Sequence, residues 1–280
     1  KDFLSFYKGR RVFVTGHTGF KGSWLCRILC GAGAEGYGFA LPPASPSLYP
    51  LAGLGGVRSE FGDMRDAAAL ERAFCTARPE IVFHLAAQPL VRAGYAAPAY
   101  TYGTNVMGTV NILECARKYG GVCSFLNVTT DKVYREDSCG RGHREGDALG
   151  GPEPYANSKS CSDLIARCYA ESFFAGGNAR LLGARGNAVG GGDFAPGRIL
   201  PDCVRAAAAG EPVRVRNPQS VRPYQHVLEP LFAYLAIAAE QWENAAVAGE
   251  YNVGPDECIS TAELAELFCR AWGDGARWVA

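Results

Sequence analysis

The feature that most constrains this chain is a set of three regularly spaced glycines close to its start. Gly16, Gly19 and Gly22 follow an apolar, β-rich segment at residues 12–15 and lead into an apolar helical pattern at residues 23–29. In a strand–loop–helix unit, the first glycine permits a tight turn, the second lets the backbone approach a pyrophosphate, and the third lets the helix pack against the strand. The amino terminus of the helix then faces the anion. The spacing and its context therefore predict a dinucleotide-binding loop.

Predicted strands and helices alternate through the first two thirds of the chain. This alternation is typical of α/β proteins with a doubly wound parallel sheet, the Rossmann fold. We therefore expect a dinucleotide-binding domain at residues 1–185. Further strands are predicted at residues 35–41, 57–61, 81–85, 122–128 and 179–185, and helices at 67–78, 104–119 and 155–174.

The last third of the chain has a looser pattern and predicts a smaller substrate-binding lobe. We place this lobe at residues 186–280 and expect it to be interleaved with the first domain. Ser260 and Glu263 have the spacing of a capping box and indicate the start of a final helix. Because the chain stops at Ala280, soon after that helix, we expect the lobe to be truncated. Its other predicted elements are helices at 199–209 and 228–242 and short strands at 213–216 and 251–253.

Carboxylates at strand ends bear on the choice of cofactor. In dinucleotide-binding folds, an acidic residue after the second strand commonly binds the ribose hydroxyls. Here that strand runs into Ala40, Leu41 and Pro42, so the sequence does not distinguish NAD from NADP. Asp63 follows the third strand, where a carboxylate would lie beside an adenine. An N-cap of the helix at 67–78 explains Asp63 equally well, and both interpretations stay open.

A tyrosine and a lysine four residues apart indicate the chemistry. Tyr155 and Lys159 open a predicted helix and share one of its faces. An ammonium beside a phenol lowers the pKa of the phenol, so we expect Lys159 to bring Tyr155 towards working pH. Thr130 follows the fifth strand and supplies a hydroxyl. In a chain that carries a dinucleotide loop, the three residues predict a hydride-transfer triad, although a packing tyrosine with a surface lysine is the alternative.

Composition excludes several classes of function. The 28 basic and 28 acidic residues cancel, so nothing indicates nucleic acid or an anionic membrane surface as a partner. The apolar runs are too short to span a membrane. The 11 cysteines are scattered, with no C-x-x-C pair, which favours free thiols over disulfides or a metal site. We therefore expect a reducing, cytoplasmic compartment and no metal.

Taken together, these motifs resemble the extended short-chain dehydrogenase/reductase family, which contains NAD-dependent epimerases and dehydratases. The resemblance rests on the glycine loop, Asp63, Thr130, Tyr155 and Lys159. It implies a Rossmann fold and NAD as the cofactor. It also implies a homodimer, formed through the helices that begin near Thr104 and Tyr155.

Within this family, the chain is similar to the CDP-glucose 4,6-dehydratases over nearly all of its length. Lys132 follows Thr130 and Asp131, at a position where other sugar-nucleotide dehydratases usually carry glutamate. The most specific matching segments lie at residues 216–218 and 222–230. The likeness therefore implies CDP-glucose as the substrate.

The resemblance also implies a redox-neutral reaction. Hydride leaves C4 of the glucose, water leaves from C5 and C6, and hydride returns to C6, giving CDP-4-keto-6-deoxyglucose for deoxysugar and O-antigen biosynthesis. Tyr155 would act as the base on the C4 hydroxyl, with Thr130 and Lys159 beside it. Asp131 would protonate the leaving hydroxyl. Lys132 would remove the C5 proton, a role in which a lysine must be neutral for part of the time.

Two sets of binding residues follow from the same resemblance. A guanidinium can make a bidentate contact with phosphate, which fits Arg222. The expected substrate contacts are Gln88, Arg92, Asn187, Arg198, Arg216, Arg222 and His226. The expected cofactor contacts are Gly16, Thr18, Gly19, Phe20, Gly22, Asp63, Met64, Leu85, Ala86, Ala87, Gln88, Thr104, Val128, Tyr155 and Lys159.

Three other functions fit parts of the pattern. Another sugar-nucleotide 4,6-dehydratase would need the same groups. A 4-epimerase or reductase would need Thr130, Tyr155 and Lys159, but no acid and base for elimination, so the Asp131–Lys132 pair argues against it. A redox-inactive NAD-binding regulator would not need an intact triad.

Overall fold

The computed structural model describes residues 3–136, 141–175, 180–186 and 188–280. Its strands match most of the predicted ones within one or two residues. The strands are β1 (Arg11–Thr15), β2 (Glu35–Ala40), β3 (Val57–Phe61), β4 (Ile81–His84), β5 (Ser124–Val128), β6 (Arg180–Arg185), β7 (Val213–Arg214), β8 (Val221–Arg222), β9 (Gly249–Asn252), β10 (Ile259–Ser260) and β11 (Trp278–Val279).

Seven of these strands form one parallel sheet in the order β3-β2-β1-β4-β5-β6-β9. This order confirms the predicted doubly wound Rossmann fold. The direction of strand order reverses between β1 and β4, which is where such sheets open a crevice for ligands. Thr15 pairs with His84 across that point, and His84 pairs with Asn127 on β5. The carboxyl ends of β1, β4 and β5 therefore meet at one edge of the sheet.

Helices cover both faces of the sheet. Within the described residues, no helix is long and apolar enough to cross a membrane. The helices are α1 (Phe20–Gly31), α2 (Ala67–Ala77), α3 (Val91–Ala96), α4 (Pro98–Tyr102), α5 (Gly108–Tyr119), α6 (Pro154–Tyr169), α7 (Ile199–Ala208), α8 (Leu228–Glu243) and α9 (Thr261–Trp272).

The sheet separates two apolar cores because successive side chains of a strand point to opposite faces. On β1, Val12 and Val14 pack in one core, whereas Phe13 packs in the other. Burying an aliphatic or aromatic side chain stabilises the fold by about 1.5–3 kcal/mol. The first core includes Leu25 and Leu29 of α1 and Leu231 and Leu235 of α8, and the second includes Leu70 and Phe74 of α2 and Ile112 and Leu113 of α5.

A smaller cluster is built from the last third of the chain. Pairs β8–β10 and β7–β11 form two short sheets, and Cys203 of α7 packs with Ala265 and Cys269 of α9. Helix α8 and strand β9, however, return to the main sheet. The lobe is thus interleaved with the sheet, and the predicted division after residue 185 stays a prediction.

Two predicted helices contain irregular turns. The helix predicted from residue 104 starts with a π-helical turn, Gly103–Met107, and α5 follows it. A side chain at Gly108 would lie 3.0 Å from the Met64 Cβ, so the helix passes very close to the chain after β3. A second π-helical turn, Ala170–Phe174, follows α6. At α9, the predicted capping box between Ser260 and Glu263 is confirmed.

Candidate active site

The glycine loop folds tightly between β1 and α1 because side chains have no room there. Gly16 has φ of +75°, and a Cβ on it would lie 2.8 Å from the Ala86 nitrogen. A Cβ on Gly22 would lie only 2.1 Å from the carbonyl oxygen of Gly16. These close approaches leave the first turn of α1 open towards the crevice. A pyrophosphate could therefore reach the amide groups of that turn.

A cleft runs from this loop along the carboxyl ends of β2, β4 and β5. It is lined by every predicted cofactor residue except Gln88. These lining residues are Gly16, Thr18, Gly19, Phe20, Gly22, Asp63, Met64, Leu85, Ala86, Ala87, Thr104, Val128, Tyr155 and Lys159.

One side chain of the cleft indicates that a polar ligand belongs there. The Thr104 hydroxyl is buried and has no hydrogen-bond partner among the described residues. A buried polar group without a partner costs about 1–3 kcal/mol. A ligand in the cleft would supply the missing partner. Together with the glycine loop, this hydroxyl makes the cleft fit a dinucleotide.

The structure also separates the two interpretations of Asp63. The N-cap of α2 is Asp66, whose carboxylate accepts a hydrogen bond from the Ala69 nitrogen at 3.0 Å. Asp63 instead borders the cleft and pairs with Arg65, with 2.6 Å between Oδ2 and Nη2. These hydrogen bonds from Arg65 lower the pKa of Asp63. Asp63 therefore presents a carboxylate to the cleft, and its contact with an adenine stays a prediction.

Tyr155 and Thr130 border both this cleft and a second cavity beside it. Burial raises the pKa of Tyr155 to about 12, and a hydrogen bond with Thr130 opposes that rise. The charge of Asp131 raises the pKa further, and the charge of Arg198 lowers it. The pKa of Tyr155 is therefore raised and not lowered as predicted, because burial outweighs the effects of Thr130 and Arg198.

Lys159 lies one helical turn after Tyr155, at the base of the cleft. Its ammonium donates a hydrogen bond of 2.8 Å to the carbonyl oxygen of Val128, and the side chain is buried. Burial lowers the pKa of Lys159 to about 8, while the charge of Asp163 raises it. The ammonium is thus anchored to the end of β5 and faces the cleft, where a ribose would lie.

Asp131 and Lys132 follow Thr130 on a short 3-10 turn and line the second cavity. The Asp131 carboxylate accepts a hydrogen bond of 2.9 Å from the Thr130 hydroxyl. Its other oxygen lies 3.9 Å from Nη1 of Arg222. Lys132 is half-buried beside them. A carboxyl group and an amine therefore face the same cavity as the phenol of Tyr155.

The second cavity is rich in positive charge. Four of the predicted substrate residues line it, namely Arg92, Arg198, Arg216 and Arg222. With Lys132, the lining has five basic residues against two acidic ones, Asp131 and Asp193. A cavity with this excess of positive charge suits a phosphorylated, anionic ligand.

Two other predicted residues do not line either cavity. The side chain of Gln88 turns into the protein, where it donates to the Thr101 hydroxyl at 2.8 Å and accepts from the Leu90 nitrogen at 2.6 Å. His226 is exposed and accepts a hydrogen bond of 3.3 Å from the Leu228 nitrogen. Asn187 lies outside the described residues. The first two side chains make internal bonds that the sequence alone does not reveal.

Several residues that line the cleft or the second cavity were not predicted from the sequence. Lys21 lies inside the glycine motif, and its ammonium donates to the carbonyl oxygen of Gly186 at 3.4 Å. Burial lowers the pKa of Lys21 to about 8. Asp193 pairs with Arg198 at 3.5 Å in the second cavity. A charged residue within the glycine motif was a usable signal for Lys21. Asp193 ends the glycine-rich segment 186–193, and the likeness of that segment to the family was a usable signal as well.

Known proteins resemble this chain in sequence and in fold. Residues 12–254 match the NAD dependent epimerase/dehydratase family. The chain belongs to this family. The CDP-glucose 4,6-dehydratase of Salmonella typhimurium is 44% identical over 98% of this chain and 80% of that protein. A probable dTDP-glucose 4,6-dehydratase of Sinorhizobium fredii is 30% identical over 92% of this chain and 75% of that protein.

Solved structures of the NAD-dependent epimerase/dehydratase family share the fold. The UDP-glucose 4-epimerase of Thermus thermophilus, in complex with NAD, superposes with a TM-score of 0.83 at 26% identity, over 96% of this chain and 85% of that one. The dTDP-glucose 4,6-dehydratase of Streptomyces venezuelae, with NAD bound, gives a TM-score of 0.79 at 27% identity, over 96% and 84% of the two chains.

Proposed function

We propose that this protein is a CDP-glucose 4,6-dehydratase that uses NAD and forms CDP-4-keto-6-deoxyglucose and water. The observation that carries the proposal is the placement of Asp131 and Lys132 in one cavity with Thr130 and Tyr155. The triad alone serves redox chemistry at a sugar carbon. The added carboxyl group and amine serve elimination. The 44% identity to the Salmonella typhimurium CDP-glucose 4,6-dehydratase supports CDP-glucose as the substrate.

The cofactor site follows from the cleft. The glycine loop would hold the pyrophosphate, Asp63 the adenosine half, and Lys159 the ribose next to the reacting ring. The hydroxyl of Thr104 would donate or accept one further hydrogen bond there. When bound, NAD supplies the hydride acceptor and donor that make the reaction redox-neutral.

The residues around the second cavity then divide the proton transfers. As a phenolate, Tyr155 removes the proton of the C4 hydroxyl, and Thr130 holds that hydroxyl in place. Lys132 removes the C5 proton once the C4 ketone has made it acidic. Asp131 donates a proton to the departing C6 hydroxyl. General acid–base groups of this kind each contribute roughly 10²–10⁴ in rate.

The arginines of the second cavity explain how the nucleotide sugar would be bound. Arg222 comes from the small lobe and Arg198 from the start of α7, so the two approach the cavity from different elements. Arg216 lies between them in sequence and lines the same wall. We assign these three guanidinium groups to the diphosphate of the nucleotide sugar, since guanidinium matches phosphate in charge and geometry.

Product analysis tests the proposal. The protein is incubated with NAD and CDP-glucose, and the product is identified by nuclear magnetic resonance, with dTDP-glucose and UDP-glucose in parallel. A 4-keto-6-deoxy sugar from CDP-glucose supports the proposal, and the same product from another nucleotide sugar only makes the base assignment wrong. A 4-epimer identifies an epimerase. Bound NAD without turnover favours the regulator.

We also propose a homodimer in a cytoplasmic compartment. Met107 and Leu164 are about half exposed on the π-helical turn before α5 and on α6, at 51% and 50%. Large apolar side chains exposed on neighbouring helices suit a contact surface. Light scattering of the protein and of the Leu164→Glu variant checks this point, and we expect the variant to be monomeric.

A further inference from the structure

A buried ion pair lies behind the catalytic residues without touching either cavity's reacting groups. Asp163 of α6 accepts a hydrogen bond of 2.8 Å from Nε of Arg185, at the end of β6. Both side chains are fully buried, at 1% and 0% exposure. Burying two charges costs several kcal/mol in desolvation, and such pairs add little stability over apolar residues of the same size. The pair therefore calls for an explanation beyond packing.

Its connections lead to the catalytic segments. The Asp163 carboxylate also accepts a hydrogen bond of 3.1 Å from the hydroxyl of Thr129, the residue just before Thr130. Asp163 itself lies one helical turn after Lys159 and two turns after Tyr155, on the same helix. One carboxylate thus ties the end of β5 to the helix that carries the phenol and the ammonium.

Arg185 adds hydrogen bonds to the part of the chain that follows Lys132. Its Nη1 donates to the Tyr134 hydroxyl and to the carbonyl oxygen of Glu145, each at 2.9 Å. Tyr134 follows the 3-10 turn of Asp131 and Lys132. The segments that carry the catalytic residues are therefore joined through one buried junction, made of Asp163 and Arg185.

The junction is not fully satisfied by the described residues. Asp163 Oδ1 and Arg185 Nη2 are buried without a hydrogen-bond partner there. The Asp163 carboxylate lies one helical turn from Lys159 and carries a negative charge, which Arg185 balances from its other side. Asp163 accordingly raises the pKa of Lys159 against the effect of burial.

We propose that Asp163, held by Arg185, is a positioning residue that sets Thr130 against Tyr155 and keeps the buried Lys159 in its charged form. The role assigned to Lys159 rests on the proposed function. Other charged or titratable groups also act on this region. Tyr155 lies on the same helix, Lys21 on α1, and His84 at the end of β4, and Lys159 lowers the pKa of both Lys21 and His84. Asp163 is the group with negative charge that raises the pKa of Lys159.

The test follows the pH at which Lys159 loses its proton. The Asp163→Asn variant keeps the size of the side chain but leaves Arg185 buried without its counterion. The double variant Asp163→Asn/Arg185→Met leaves no unpaired charge and guards against misfolding. Glu250→Gln is the matched control, because Glu250 forms an exposed pair with Arg167 of the same helix, with 2.7 Å between Oε1 and Nε.

Two quantities are measured against pH in each folded variant: NAD affinity by calorimetry, and kcat/KM for CDP-glucose. We expect the basic limb of both profiles to move to lower pH in the two Asp163 variants, by roughly one unit, because an opposite charge shifts a pKa by about 1–3 units. We also expect kcat to fall roughly tenfold or more, from the misplaced Thr130. Glu250→Gln should leave both profiles unchanged.

The proposal would be overturned if the basic limb of both pH profiles stayed at its wild-type position in folded Asp163→Asn and in the double variant. This holds even if both variants lost thermal stability. Asp163 would then be a structural residue only. A wild-type protein that binds NAD but does not convert CDP-glucose would contradict the proposed function instead. In that case the pH dependence of NAD affinity still decides the role of Asp163.

Discussion

Two buried histidines make the stability of this protein depend on pH in a predictable way. His84 is fully buried at the end of β4, with Nδ1 at 2.7 Å from the Thr15 hydroxyl and Nε2 at 3.1 Å from the Thr109 hydroxyl. Burial lowers the pKa of His84 from 6.5 to about 3. Burial also lowers the pKa of His17, in the glycine loop, from 6.5 to about 4.

The direction in which stability changes with pH follows from the protons that each state binds. Below a pH of 6.5, the unfolded chain binds a proton at each histidine, whereas the folded protein does not. Unfolding is therefore favoured as the pH falls from 6.5 towards about 4 for His17 and about 3 for His84. Integrating the difference in bound protons between the unfolded and folded states over pH gives the change in stability. The free energy of unfolding is lower by about 2 kcal/mol per histidine at about pH 5 than at about pH 7.5. Protonation of carboxyl groups also changes stability, but mostly at pH values below this range.

Urea unfolding at several pH values measures this loss. The wild-type protein should lose about 4 kcal/mol of unfolding free energy over that range, and His84→Gln should lose only about 2 kcal/mol. Glutamine retains a donor and an acceptor, and any constant penalty of the substitution does not alter the slope with pH. If His84→Gln kept the full wild-type slope, the folded protein would not exclude the proton from His84, and the reasoning would fail.

Further substitutions test the site. Tyr155→Phe should keep NAD affinity, measured by calorimetry, and lose roughly 10²–10⁴ in turnover; near-normal turnover would refute the assignment. Lys159→Ala should weaken both NAD binding and turnover, and unchanged NAD affinity would contradict its contact with the ribose. Lys132→Ala should bind substrate and accumulate reduced nicotinamide, seen by absorbance, whereas wild-type exchange of the C5 proton with solvent would assign the base elsewhere. Gly22→Ala should lose NAD binding and about 1–3 kcal/mol of stability, since its Cβ would meet the Gly16 carbonyl; normal NAD affinity would contradict the role of the loop.

Much of the fold could be predicted because local and global preferences agree. The glycine loop, the alternation of strands and helices, and the capping box of Ser260 each depend on short-range chemistry that the sequence displays. The π-helical turn before α5 has no pattern in the sequence, and the close approach of Gly108 to Met64 beside it joins distant parts of the chain. The return of β9 to the main sheet is also a long-range effect.

The same contrast between short-range patterns and long-range contacts applies to the site. Residues fixed by a strand end or a helix face, such as Thr130 and Tyr155, lie where the pattern placed them. Gln88 does not, because its amide found partners inside the protein. The pKa of Tyr155 was predicted in the wrong direction, since four-residue spacing shows that Lys159 is near but does not show how deeply the phenol is buried. Asp163 was missed because its importance lies in contacts with β5 and β6.

The central claim is that one active site oxidises C4, eliminates water and returns the same hydride to C6. The most direct measurement uses CDP-glucose carrying deuterium at C4, incubated with the protein and NAD in ordinary water. We expect CDP-4-keto-6-deoxyglucose with the deuterium in its C6 methyl group. Deuterium recovered at C4 of an epimerised sugar, or lost to solvent from a product with an intact C6 hydroxyl, would contradict it.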